Sequence, residues 1–144
     1  MRDFKELLAW QLADTLRAEI VEFTETGPTA RDFRYRDQIR DAGASPPRNI
    51  AEGFGRYHPS EFARFLEFAI ASYEEIKDAL VDGLNRGYLD DKRCTRLRNL
   101  AGAAENVAKK LLRAKRRQAA KNAERRDTRS GDRSSAARSK KRTP

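Results

Sequence analysis

Apolar residues recur at helical spacing through the first 112 positions of the chain and almost disappear after Leu112. Positions three or four apart share one face of an α-helix, and no alternating run rich in Val, Ile or Thr indicates a strand. A length of 144 residues fits one domain rather than two. The pattern therefore predicts a single all-α domain over residues 1–112 and a different kind of segment over residues 113–144.

Four helices account for this periodicity, and the short connections between them favour an antiparallel up-down bundle. Their approximate predicted bounds are residues 4–24, 31–55, 59–86 and 91–112. Asp3 and Glu6 have the spacing of a capping box at the first helix. Pro59 suits the start of the third, because the N–H that it lacks needs no partner there, and Gly87 ends that helix.

The second helix carries the strongest interruption. Gly43 and the run Ser45-Pro46-Pro47 are expected to kink or break it, because the prolines remove two N–H donors. Gly53 and Gly55 then end the helix, and both can adopt a positive φ or allow another backbone to approach closely.

Each of the other helices has an apolar stripe that predicts a core face. On the third helix the stripe is Phe62, Phe65, Leu66, Ala69, Tyr73, Ile76, Leu80 and Leu84. On the fourth it is Leu97, Leu100, Ala101, Ala104, Ala108 and Leu111, with Cys94 on the same face. On the first it is Phe4, Leu8, Leu12, Leu16, Ile20 and Phe23.

The first helix also has a second apolar patch, formed by Leu7, Trp10 and Val21 on its other side. A single stripe satisfies a monomeric bundle, so this patch predicts an interface between subunits. The alternative is that Trp10 shields the edge of its own bundle.

Charge divides the chain at the same point as hydrophobicity. Residues 1–112 hold 18 Lys/Arg and 19 Asp/Glu, whereas residues 113–144 hold 13 and 3, so the net charge of +9 belongs to the C-terminal segment. The last helix is expected to extend to about Ala123 and to give way to disorder, because few apolar side chains remain to offset the entropy of ordering.

This basic tail is the candidate nucleic-acid surface, since clustered cations displace the counterions of phosphates. The cations nearest the bundle are Arg113, Lys115, Arg116, Arg117, Lys121, Arg125 and Arg126. The tail has no aromatic residue to stack on bases, so binding should be sequence-tolerant and salt-dependent. Alternatively, the tail only solubilises the protein.

A run of ten residues carries a family resemblance. Pro47-Arg48-Asn49-Ile50-Ala51-Glu52-Gly53-Phe54-Gly55-Arg56 resembles the P-x-N-I-A-E-G-x-G-R signature of bacterial four helix bundle proteins, first noticed in intervening sequences of large-subunit ribosomal RNA genes. The resemblance spans about residues 3–112 and excludes the tail. It continues through Phe4, Leu7, Trp10, Ala13, Gln38-Ile39-Arg40, Glu61-Phe62, Arg64-Phe65-Leu66, Glu75 and Gly87-Tyr88-Leu89. Gly43 and Pro46 depart from the family pattern.

The resemblance implies an antiparallel four-helix bundle that assembles into a ring-like homopentamer. The family includes the accessory variability determinant of diversity-generating retroelements, which binds a reverse transcriptase and nucleic acid. The implied partners are therefore further copies of the chain, RNA or DNA, and a reverse transcriptase.

The signature itself has two readings. Asn49, Glu52 and Arg56 could form a binding surface, or the segment could only shape the turn between the second and third helices. Of these residues, Arg56 is the candidate nucleic-acid contact.

Enzymatic chemistry has little support in the sequence. His58 is the only histidine and is expected at a helix cap, and Cys94 is the only cysteine and lies on an apolar face. Glu75 lies off the core stripe and is expected to bond a neighbouring helix or a neighbouring subunit. Neither a phosphate-binding glycine loop nor a Glu-x-x-His metal motif occurs, so we expect no catalytic, cofactor or metal site.

Two functions remain open at this stage. The first is a homo-oligomeric adaptor that engages RNA or a nucleic-acid enzyme such as a reverse transcriptase, and the second is a protein-interaction scaffold with no nucleic-acid role. The single cysteine, the acidic N-terminus and the lack of a long apolar run predict a cytoplasmic protein without a membrane partner.

Overall fold

The computed structural model describes the backbone of residues 2–140 and the side chains of residues 2–133. Within that part of the chain, helices and turns occur and no strand does. A short 3-10 turn, Phe4–Glu6, precedes α1 (Leu8–Phe23), α2 (Gly27–Arg31), α3 (Phe33–Phe54), α4 (Pro59–Asn85) and α5 (Asp91–Lys140). The all-α prediction is confirmed.

The long helices α1, α3, α4 and α5 form a bundle in which each packs against two others. Tyr35, near the start of α3, donates its hydroxyl to the carbonyl of Ala79 in α4 at 2.6 Å. Further along α3, the hydroxyl of Ser45 lies 2.6 Å from that of Ser72, which comes earlier in α4. Since residue numbers rise in one helix and fall in the other, these neighbours are antiparallel, as predicted.

The predicted core stripes of two helices are confirmed. On α4 the buried members are Phe62, Leu66, Ala69, Tyr73, Ile76 and Leu80. On α5 they are Cys94, Leu97, Ala101, Ala104 and Ala108. The other predicted members, Phe65, Leu84, Leu100 and Leu111, are half-buried.

The start of α1 differs from the prediction. Leu7 has an extended backbone, with φ −71° and ψ 126°, so the helix begins only at Leu8. This break shifts the helical phase, because the residues before it no longer follow the 100° step of α1. Leu7 therefore lies in the core at 9% exposure, whereas Leu8, a predicted core residue, is 56% exposed.

The capping box predicted at this end is wrong for the same reason. Asp3 accepts a hydrogen bond from the backbone N–H of Lys5 at 3.0 Å rather than from that of Glu6. The carboxylate of Glu6 accepts from the N–H of Arg2 at 3.3 Å. Both acids thus cap a single 3-10 turn and not α1.

Of the kink or break predicted in the second helix, the break is wrong. α3 continues from Phe33 to Phe54 through Pro46 and Pro47, and both prolines are buried. Because proline has no backbone N–H, two carbonyls of the preceding turn lose their usual hydrogen-bond donors. Burial of the rings between helices stabilises the continuous helix despite that loss.

The end of α4 follows the predicted chemistry. Gly87 has a φ of 79°, a left-handed conformation that favours glycine. The N–H of Tyr88 donates to the carbonyl of Gly83 at 2.8 Å, and that of Gly87 donates to Leu84 at 3.0 Å. These two bonds form a Schellman motif that satisfies the last carbonyls of the helix.

α5 is longer than predicted. It runs without interruption across Leu112 and past Ala123, and continues to Lys140. Good helix formers such as Ala, Arg, Lys and Gln extend a helix that the bundle has already nucleated, because each added residue gains a backbone hydrogen bond. The disorder predicted after Ala123 is thus replaced by helix through Lys140, while residues 141–144 lie outside the described part of the chain.

A buried ion pair joins α4 to α5. Lys77 Nζ lies 2.9 Å from Glu105 Oε2, and the side chain of Glu105 is only 6% exposed. The hydrogen bond to Glu105 raises the pKa of Lys77, which keeps the amine charged. Because a buried carboxylate without a partner is strongly unfavourable, this pair favours one alignment of the two helices.

Replacing Lys77 by Met should lower the free energy of unfolding by about 3 kcal/mol, because the Glu105 carboxylate stays buried without its main cation. Lys109, 3.7 Å from the same oxygen, compensates only in part. Denaturant unfolding measures this loss, and the double variant Lys77→Met/Glu105→Leu should recover most of it. A double variant as unstable as the single one would show that packing of the lysine stem, and not charge, is responsible.

Gly53 permits close contact between α3 and α4. A Cβ atom at this position would lie 2.9 Å from Phe62 Cδ1 and 3.0 Å from Phe65 Cβ. Gly53→Ala should therefore destabilise the bundle by about 1–3 kcal/mol through overpacking.

Gly102 in α5 is the matched control, because nothing lies within 4 Å of the Cβ that an alanine would add. Gly102→Ala should be neutral or stabilise the protein by about 0.5–1 kcal/mol, the gain of alanine over glycine in a helix. Thermal unfolding of both variants checks the pair. Equal effects at the two glycines would contradict the packing argument.

Candidate nucleic-acid interface

The ten-residue signature forms the end of α3 and is mostly engaged in packing. Asn49 Nδ2 donates to the carbonyl of Ser45 at 2.9 Å and to its hydroxyl at 3.0 Å. That hydroxyl in turn contacts Ser72, whose own hydroxyl donates to the carbonyl of Phe68 at 3.1 Å. Asn49 thus bonds Ser45, the α3 side chain that contacts α4 through Ser72.

The apolar and small residues of the signature have the same role. Pro47 and Ile50 are buried, Ala51 is half-buried, and Gly53 lies against Phe62. Gly55 caps the helix with a φ of −74°, and neither it nor Gly53 has a positive φ. Of the two properties that the sequence allowed these glycines, positive φ is used at neither, and close approach is confirmed at Gly53.

Arg56 is held at the end of α3. Its guanidinium lies 2.7 Å from the Glu52 carboxylate and 5.1 Å from the centre of the Phe65 ring. The ion pair offsets part of the positive charge that would attract a phosphate to Arg56. Arg56 and Glu52 are both about half exposed, so the pair remains at the surface.

The patch predicted on the first helix is divided by the structure. Leu7 is corrected from a subunit interface to a member of the monomer core, because the extended backbone before α1 turns it inward. Trp10 and Val21 are half-buried, and the Trp10 ring meets Phe4 edge-on at 5.3 Å. The structure holds one copy of the chain, so an interface at Trp10 and Val21 stays a prediction.

The beginning of the basic segment lies along the bundle. Arg116 forms an ion pair with Glu67 of α4 at 2.6 Å, and Lys115 Nζ lies 5.2 Å from the centre of the Phe62 ring. These contacts show that the predicted boundary at Leu112 falls inside one helix that still packs against α4.

The next turns of α5 pass the loop that joins α3 to α4. Tyr57 and His58 of this loop, with Pro59 at the start of α4, face α5 across a groove of about 460 Å³. The α5 residues that line it are Gln118, Asn122, Arg125, Arg126 and Arg129. Their spacing places them on one helix face. We call this feature the loop groove.

The loop groove is basic. Among the described residues, Arg125, Arg126 and Arg129 have no ion-pair partner, and no carboxylate lines the groove. Of the other predicted cations, Arg113, Arg117 and Lys121 are exposed on the same helix. The structure therefore brings two of the predicted tail contacts, Arg125 and Arg126, to a defined surface.

The aromatic part of this surface was not predicted from the sequence. Tyr57 is 93% exposed, and its ring meets the His58 ring edge-on at 5.2 Å. The tail itself has no aromatic residue, but the fold supplies one from the preceding loop. The signal available in the sequence was an aromatic pair between Gly55 and Pro59, in a connection too short to bury it.

The remaining candidate side chains are placed as follows. Cys94 is 2% exposed and its thiol donates to the carbonyl of Leu80 at 3.6 Å, while burial raises the pKa of the thiol. Such a thiol is a poor nucleophile. His58 is the N-cap of α4, as predicted. Glu75 is exposed and bonds no neighbouring helix among the described residues, so its bond to another subunit stays a prediction.

A search of the described residues finds no cluster of three or more His, Cys, Asp or Glu side chains suited to a metal ion. None of the described helices has both the length and the apolar character needed to cross a membrane.

Comparison with known proteins adds one finding. The model of a family described as 23S rRNA-intervening sequence protein matches residues 5–122. The match includes the bundle and continues along α5 to Asn122, beyond the predicted limit near residue 112. No curated protein matches the chain.

Proposed function

We propose that this chain, which belongs to the 23S rRNA-intervening sequence protein family, is a non-enzymatic adaptor. It binds RNA through the basic part of α5. The observation that carries the proposal is the cationic surface that α5 presents as one continuous helix. Residues 113–133 hold nine Lys/Arg against three Asp/Glu.

Several of these cations are free to meet phosphates. Arg113, Arg117 and Lys121 are exposed and have no ion-pair partner among the described residues. Cations on a helix are spaced by its rise of about 1.5 Å per residue, so residues 113–133 extend along about 30 Å of a nucleic-acid backbone. Binding of this kind supplies affinity and little sequence preference.

An adaptor is favoured over an enzyme by the state of the reactive side chains. The cysteine thiol is buried with a raised pKa, and the histidine caps a helix at the edge of the loop groove. Among residues 2–133, neither is paired with a group that would activate it.

Self-association and a reverse transcriptase partner belong to the proposal as further predictions. A homopentamer is what the family resemblance implies, and a protein-interaction scaffold without nucleic acid is the second candidate function. The observation in its favour is the exposure of large apolar side chains, since Phe33 is 64%, Leu8 56% and Phe68 47% exposed. Large apolar side chains left exposed are available to a protein partner.

Neutralising the free cations of α5 tests the RNA proposal. The variant Arg113→Gln/Arg117→Gln/Lys121→Gln should bind a labelled RNA more weakly than the wild type in fluorescence anisotropy. The slope of log affinity against log salt concentration should also fall by about 2, as expected when three phosphate contacts are lost.

A matched control removes the same charge from the bundle. Arg31, Arg48 and Lys92 are exposed and lie outside residues 113–133. The variant Arg31→Gln/Arg48→Gln/Lys92→Gln should keep the wild-type affinity and salt slope. Equal losses in both variants would show that net charge alone attracts RNA, and no salt-dependent binding by the wild type would favour the scaffold. Light scattering of each sample gives the oligomeric mass.

A further inference from the structure

An exposed tyrosine lies beside three arginines that have no ion-pair partner among residues 2–133, a combination suited to a ligand with an aromatic face and negative charge. At 93% exposure, the Tyr57 ring contributes little to the core. Its hydroxyl makes no hydrogen bond within the described part of the chain. The face of the ring is therefore available to a partner.

The cations stand on the opposite side of the loop groove. Arg125 and Arg129 are four residues apart and share a face of α5, and Arg126 reaches the same groove and a second groove beside it. The second groove, of about 280 Å³, shares His58, Pro59 and Asn122 with the first. The two together form a continuous track across the junction of the loop and α5.

The track also contains side chains able to form hydrogen bonds with the polar edge of a base. Gln118 and Asn122 each carry one acceptor oxygen and one amide with two donors, and both line the loop groove. Because these amides and the guanidinium groups line the same groove as Tyr57, they are available to bond the polar edge and the phosphates of a nucleotide held there. The groove volume of about 460 Å³ lies in the range of about 300–1,000 Å³ that is usual for small-ligand sites.

We propose that the loop groove binds an unpaired nucleotide of single-stranded RNA, with the base stacked on Tyr57 and the flanking phosphates on Arg125, Arg126 and Arg129. This inference rests on the proposed function and deepens it by naming the strand state of the RNA. In a duplex, the base faces are covered by their neighbours, so a duplex reaches only the arginines. Single-stranded binding proteins combine the same two elements, an aromatic platform and a positively charged groove.

The test compares two RNA probes with one set of variants. The probes are a labelled single strand of about 12 nucleotides and a duplex of the same length and sequence, a length within known single-strand sites. Tyr57→Ala should weaken single-strand binding by about fivefold to a hundredfold, the effect of losing one stacked base, and should leave duplex binding unchanged. Tyr57→Phe keeps the stacking face and should stay within about twofold of the wild type.

Phe33→Ala is the control, because Phe33 is another exposed aromatic and does not line the loop groove. It should leave both affinities at the wild-type value. Since Tyr57 is almost fully exposed, Tyr57→Ala should retain the wild-type melting temperature, which confirms that the fold is intact.

The outcomes separate this inference from the proposed function. If the wild type binds both probes and Tyr57→Ala binds them equally well, the stacking site is overturned while RNA binding by α5 stands. Equal weakening on both probes would also overturn it. A fall in oligomeric mass of Tyr57→Ala by light scattering would show that Tyr57 meets another copy of the chain instead. If the wild type binds neither probe, the proposed function itself fails.

Discussion

The antiparallel contact between α4 and α5 determines where the candidate interface lies. Ala101, Ala104 and Ala108 are fully buried and let the two helices approach closely, and the Lys77–Glu105 pair favours one alignment. Because α5 is much longer than α4, this alignment carries α5 past the beginning of α4 at Pro59. The basic residues of α5 therefore meet the loop that precedes Pro59.

The residues of the family signature are consequently not the ones that line the loop groove. Asn49 and Gly53 hold α3 against α4, and Arg56 is paired with Glu52. Close helix packing tolerates few side chains at such positions, which is a sufficient physical reason for a distinctive sequence. Their effect on the loop groove is indirect: by ending α3 at Phe54, they place Tyr57 and His58 in a short exposed connection.

The sequence predicted the fold well where helical periodicity was uninterrupted. The core stripes of α4 and α5 need only the 100° step of a regular helix, so Tyr73 and Ala104 were predicted correctly. Prediction failed where a local break or tertiary packing decided the backbone. The extended residue before α1 brought Leu7 inward, and burial of Pro46 and Pro47 kept α3 intact, although local rules favoured an interruption.

By itself, the sequence determined the helical class, the order of the helices, the family and the location of the positive charge. These properties follow from periodicity, composition and a contiguous motif, all of which are read along the chain. Only the tertiary structure decided that Tyr57, Arg125 and Arg129 line one groove. Residues so far apart in sequence meet because two antiparallel helices of unequal length fix their register through packing, and no local pattern encodes that register.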